Sequence, residues 1–87
     1  MMTVYAGHVP VDLDRDSPDP LYRQVADDLK RRITADGLTR LPSYTQICQE
    51  YDVSRPTAES AVKILADEGI VRVSPGKGTF VIRRPEG

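Results

Sequence analysis

Residues 41–65, LPSYTQICQEYDVSRPTAESAVKIL, constrain this chain more tightly than any other stretch. Ser43 and Ser54 each stand just before a run with apolar residues at helical spacing. Serine is a strong N-cap because its hydroxyl accepts from an otherwise orphaned N–H of the first turn. Gln46, three residues after Ser43, completes a capping box. Pro56 falls in the first turn of the second helix, where a missing N–H costs little. Only Tyr51-Asp52-Val53 separates the two helices, so the segment reads as a helix-turn-helix. Gly69 stops the second helix, and residues 70–82 then read as a β-hairpin with its tip at Ser74-Pro75-Gly76-Lys77-Gly78. With one more helix upstream, the predicted fold is α+β: a winged helix-turn-helix, three helices followed by a two-stranded β-hairpin wing.

That upstream helix is expected to begin near Asp19-Pro20, with aspartate as N-cap and proline at the first helical position. Leu21, Tyr22, Val25, Ala26, Leu29 and Ile33 then recur at spacings of three and four, which gives one apolar face. Gly37 ends it. Ile47, Cys48 and Tyr51 supply the core face of the second helix, and Val53 packs beneath the turn. Ala58, Ala61, Val62 and Leu65 form the inward stripe of the third, where two alanines let it cross closely over its neighbour. In the hairpin, Val71, Val73, Phe80 and Ile82 are expected to pin one face onto the helices. The 87 residues divide into an N-terminal tail (1–18), partly mobile, one small domain (19–84) and a short C-terminal tail (85–87).

Composition narrows the function. One histidine, His8, and one cysteine, Cys48, leave no histidine-based catalytic pair, zinc set or disulfide to build. Cys48 reads as a small buried hydrophobe. No nucleophile–base pair or carboxylate dyad is gathered in the sequence, so no enzyme and no cofactor are expected. Gly76-Lys77-Gly78 lacks the G-x-x-x-x-G-K-[ST] spacing of a nucleotide loop. No apolar run approaches the roughly 20 residues needed to span a bilayer, and the N-terminus has no signal-peptide pattern, so a cytoplasmic location without membrane contact is expected.

The net charge of −1 is low for a protein that binds nucleic acid, but the charge is unevenly placed. From Met1 to Leu29, Asp12, Asp14, Asp16, Asp19, Asp27 and Asp28 face only Arg15 and Arg23, a net of −4. From Ser54 to Arg84, Arg55, Lys63, Arg72, Lys77, Arg83 and Arg84 outnumber Glu59, Asp67 and Glu68, a net of +3. The third helix and the hairpin therefore form the basic part. The early residues of the second helix in such a motif reach base edges in the DNA major groove. Arg55, Thr57, Glu59 and Ser60 face outward there, with Pro56 between them. Arg55 can pair with both guanine acceptors, and Glu59 can accept from cytosine while repelling phosphate. At the hairpin tip, two glycines let the backbone approach the minor groove and Lys77 reach phosphate.

These stretches carry a resemblance. Pro20 to Leu29, Leu41-Pro42-Ser43, Glu50-Tyr51, Val53 to Thr57, Glu68 to Val71 and Gly76 to Val81 are similar, in order and spacing, to the DNA-binding domain of the GntR family of bacterial transcription regulators. The resemblance implies a DNA-binding regulator of transcription, usually a dimer on a pseudo-palindromic operator. It places Ser43, Ser54, Arg55, Thr57, Lys77, Gly78 and Thr79 at DNA-contacting positions. Tyr44 and Thr45 stand where the family typically has Glu-Arg, and Ala58-Glu59 where it often has Val-Arg, so Thr45 and Glu59 mark lost cations and one gained anion. The loop Asp36 to Arg40 is shorter than usual. The family's C-terminal effector domain has no counterpart in these residues, so no small-molecule effector is expected, and a monomer that pairs on double-stranded DNA is favoured. The alternative is a winged helix that binds another regulator as a protein-interaction module, with weak or no DNA binding.

Overall fold

The computed structural model describes residues 20–85. Expectations for the tail at 1–18, for His8 and for an Asp19 cap lie outside the described residues. Three helices, α1 (Leu21–Asp36), α2 (Tyr44–Tyr51) and α3 (Arg55–Asp67), precede a hairpin of β1 (Val71–Ser74) and β2 (Gly78–Val81).

The local signals explain most boundaries. Pro20 is extended and its carbonyl accepts from Arg23 and Gln24 N–H, so proline occupies the N-cap rather than the expected first helical position. Gly37 closes α1 in the left-handed region at φ 67°, where its N–H returns to the Ile33 carbonyl. Ser43 and Gln46 form the full capping box, at 3.1 Å from Gln46 N–H to Ser43 Oγ and 3.0 Å from Ser43 N–H to Gln46 Oε1. Asp52 makes the turn at φ 55°, a conformation that aspartate tolerates better than most residues. Ser54 caps α3, accepting from Thr57 N–H.

The helices bury one shared core. Val25, Ala26, Leu29 and Ile33 of α1 meet Ile47 and Tyr51 of α2 and Ala58, Ala61, Val62 and Leu65 of α3, with Leu41, Ile70 and Val71 closing it. Tyr22 is exposed rather than part of the α1 face, and Leu21 and Cys48 are only half-buried. Tyr51 is the largest side chain inside. Its hydroxyl donates to Asp28 Oδ2 at 2.5 Å and accepts from Arg32 Nη1 at 3.1 Å, while the same Arg32 nitrogen donates to Glu50 Oε1 at 2.8 Å. This network ties α1 to α2.

The hairpin differs from expectation by one residue of register. Val71 pairs with Val81, Arg72 with Phe80, Val73 with Thr79 and Ser74 with Gly78. Only Pro75, Gly76 and Lys77 remain at the tip, where Lys77 N–H donates to the Ser74 carbonyl. Directly opposed residues share a face, so Thr79 and Val81, not Phe80 and Ile82, lie on the side of Val71 and Val73. A slip of one exchanges the faces. Phe80 and Ile82 are consequently 36% and 54% exposed, while Val73, although on the side of Val71, is 42% exposed. A third short segment, unforeseen in the sequence, lies along β2. Leu41 N–H donates to the Thr79 carbonyl and Val81 N–H to the Thr39 carbonyl, around an antiparallel bridge between Arg40 and Phe80.

Candidate nucleic-acid interface

The capping of Ser54 fixes where α3 starts, and its helical spacing buries Ala58 and Ala61 while turning Ser54, Arg55, Pro56, Glu59 and Ser60 to the surface. Thr57 is half-buried, its hydroxyl 3.1 Å from Ser54 Oγ. Arg55 is not a loose cation. Its Nε donates to Glu59 Oε2 at 2.9 Å, and its guanidinium lies 4.8 Å over the ring of Tyr44. Tyr44 is the first residue of α2, so the start of the third helix rests on the start of the second.

From Tyr44 the surface continues into a groove of about 740 Å³. One wall is the head of α2, with Ser43, Tyr44 and Gln46; the other is the wing from Val73 to Thr79. Lys77 and both wing glycines face this opening, and Ser43 and Thr45 are exposed beside it. Thr79 lines the groove but is only 9% exposed, and its carbonyl accepts from Leu41 N–H. Of the expected set, Ser43, Thr45, Ser54, Arg55, Pro56, Glu59, Ser60 and Lys77 are exposed, Thr57 and Gly78 are half-buried, and Thr79 is buried.

Arg40, absent from the expected set, organises the wing. Its Nη2 donates to the Lys77 carbonyl at 2.6 Å and its guanidinium packs 5.3 Å from the centre of the Phe80 ring. The guanidinium also occupies the space a side chain at residue 78 would need, 2.8 Å from where a Cβ would sit. Gly78 is thus favoured by its φ of 127°, and a side chain there would also have to move the end of Arg40. The signal for Arg40 lay in the pairing of Thr39–Leu41 with β2, which no local pattern announces. Arg72 projects beside Phe80 on the outer face of the hairpin.

Two described groups have shifted protonation, Tyr51 in the core and Arg32, which lines the groove. Burial, then the hydrogen bond donated to Asp28, pushes the Tyr51 phenol above its ordinary value, against a smaller opposite pull from Arg32. For Arg32, burial alone would lower the value, but the hydrogen bonds to Tyr51 and Glu50 outweigh it and raise it. Both groups therefore stay in their ordinary charge states, neutral and cationic, and serve as structure. Among the described residues there is no cluster of metal-ligating side chains and no helix long and apolar enough to cross a membrane.

The comparisons with known proteins agree on one family. A family model described as bacterial regulatory proteins, gntR family, matches residues 21–81. The HTH-type transcriptional regulator YurK of Bacillus subtilis (strain 168) is 37% identical over 73 residues, 79% of this chain and 30% of its own length. The HTH-type transcriptional repressor NagR of the same organism is 32% identical over 74 residues, 82% of this chain and 30% of its own. The chain thus spans about a third of these relatives. Among solved structures, the AraR DNA-binding domain in complex with operator ORX1 superposes with a TM-score of 0.76 at 28% identity, covering 85% of this chain and 96% of that one.

Proposed function

Because the chain belongs to the gntR family of bacterial regulatory proteins, we propose that residues 20–85 are the operator-binding part of a transcription regulator and bind double-stranded DNA with sequence preference. The observation that carries this reading is one continuous exposed surface: Arg55 on α3, Tyr44 and Ser43 at the head of α2, then the groove and the Lys77 wing tip. In this reading α3 enters the major groove, with Arg55 on guanine and Thr57, Glu59 and Ser60 on neighbouring positions. The heads of α2 and α3, capped by Ser43 and Ser54, offer N–H groups and a favourable dipole to phosphates on either side. Thr45 and Pro56 flank these contacts. Lys77, between two glycines, follows the backbone or the minor groove. AraR, the structural neighbour, is solved with operator DNA, which supports this reading.

The reading assigns the domain binding and no chemical step, and it needs no cofactor or small-molecule effector within residues 20–85. It places the protein in the cytoplasm, with two copies meeting on a pseudo-palindromic site. One observation favours a second reading: Glu59 neutralises Arg55 at the centre of the face, and the whole chain is slightly acidic. That would suit a module that docks on another regulator. Arg55→Ala separates the two. On the operator reading it weakens binding to the preferred duplex by about 5- to 100-fold and relaxes the preference at one base pair. Equal loss on every duplex denies Arg55 a reading role. A stoichiometric protein partner together with no salt-sensitive DNA affinity favours the docking module.

A further inference from the structure

Arg55 and Glu59 are both half-exposed, with side chains 59% and 51% accessible, so their ion pair adds little to stability. Its orientation is also the weaker one for a helix: the cation stands at the N-terminus, against the dipole, and the anion one turn later. The pair is therefore poorly explained as support for α3. The geometry around the guanidinium points elsewhere. Glu59 takes Nε at 2.9 Å, and Tyr44 supports the plane from one face at 4.8 Å. Nη1 and Nη2, the far edge of the fork, have no hydrogen-bond partner among the described residues.

We infer that Glu59 and Tyr44 are specificity-determining positioning residues, which hold Arg55 so that its Nη1/Nη2 edge meets a guanine O6/N7 pair end-on. This rests on the reading of α3 as the DNA-reading helix and extends it to the base and the edge engaged. An unrestrained arginine must give up several rotatable bonds when it docks on a base, and it can also slide to a neighbouring phosphate. With Nε occupied and one ring face covered, the rotamer is set before DNA arrives, and a bidentate donor matches guanine better than any other major-groove edge. The carboxylate has an opposite effect on the backbone, since its charge repels phosphate at all sequences. Glu59 thus exchanges non-specific affinity for discrimination. This explains how an anion can stand in the middle of a DNA-reading face.

The test compares the chain with Glu59→Ala, Glu59→Gln and Tyr44→Leu on two duplexes, the site selected by the unaltered protein and the same site with its central guanine pair replaced, by fluorescence anisotropy. Helical content by circular dichroism confirms that each variant folds. Glu59→Ala is expected to tighten binding to the replaced duplex while the ratio between the duplexes falls about two- to tenfold, the scale of ordering one flexible side chain. Glu59→Gln, which keeps an acceptor for Nε, retains more of the ratio than Glu59→Ala, and Tyr44→Leu lowers the ratio without tightening the replaced duplex. An unchanged ratio in Glu59→Ala overturns the inference. A raised ratio overturns it too, and identifies the pair as a latch that withholds Arg55. Loss of preference at a neighbouring cytosine with guanine discrimination intact would show that Glu59 reads a base itself. If the unaltered protein selects no site, the operator reading fails and this inference falls with it; if it selects a site and Glu59→Ala behaves like it, the inference alone fails.

Discussion

At the scale of single residues, position matters more than residue type. Arg55 and Arg40 are both arginines stacked on aromatic rings, at 4.8 and 5.3 Å, yet one leads the outward face of α3 and the other is folded into the wing. The φ of 127° favours glycine at 78, and the Arg40 guanidinium packs against it. Alanine there must adopt φ 127° and displace the guanidinium from the Lys77 carbonyl. Gly78→Ala is expected to cost about 1–3 kcal/mol and to exceed Gly76→Ala, whose added methyl group meets only open space although its φ of 78° is also positive. Urea unfolding midpoints of the two variants decide it, and equal midpoints would contradict the role given to Arg40. The caps were legible because capping is local: Ser43, Gln46 and Ser54 announce themselves within four residues. Arg55 was legible as the first residue after such a cap. Its partners were less so, because Tyr44 is eleven residues upstream and reaches Arg55 only once the turn at Asp52 has set the two helices at their angle.

At the scale of elements, helices were read more faithfully than the hairpin. A helical stripe tolerates an error of one residue at its end, as when Pro20 rather than the residue before it became the cap of α1. A hairpin does not: counting the tip one residue differently moved Phe80 and Ile82 to the outside and Thr79 to the inside. The segment 39–41 is not legible in the sequence because three residues carry no period, and their pairing with β2 is long-range. The join of α1 to α2 has its own test. Tyr51 has a phenol whose folded pKa is raised above the ordinary 10.0, so the folded state holds its proton more tightly than the unfolded chain does. The associated stability is fully present below pH 10 and is lost as pH climbs from there toward the folded value. Stability should therefore fall across alkaline pH more steeply in the parent than in Tyr51→Phe, measured by urea unfolding between pH 8 and about 11. Tyr51→Phe should also be less stable at neutral pH by about 1–3 kcal/mol, because it removes the donor to Asp28 Oδ2, leaving Asp28 only Arg31 on Oδ1, and takes one acceptor from Arg32. Parallel pH profiles would contradict the placement of the phenol.

At the scale of the whole molecule, the sequence showed where the charge lies more clearly than what it does. The basic balance of residues 54–84 coincides with α3 and the wing, yet inside that region Arg55 is paired to Glu59, Lys63 to Asp67, and Arg83 donates to the Glu68 carbonyl. The cations available to phosphate are consequently fewer than composition implies, with Lys77 and Arg72 the clearest. On the proposed function, few phosphate contacts mean modest non-specific affinity and a shallow dependence on salt, and discrimination rests on the base edges assigned to Arg55 and its neighbours. The domain's membership in a regulator family fixes its class, and the surface running from Arg55 over Tyr44 to the groove and wing is the face that the proposed function assigns to DNA. The measurement that tests this most directly is selection from random duplex DNA with the purified chain, followed by anisotropy on the selected site across salt concentrations. The account predicts an enriched motif containing a guanine, with half-sites about 34 Å apart if two copies bind, and log affinity falling linearly with log salt at about 0.9 per phosphate contacted, with only a few phosphates per copy. No enriched motif, together with affinity indifferent to salt, would contradict it.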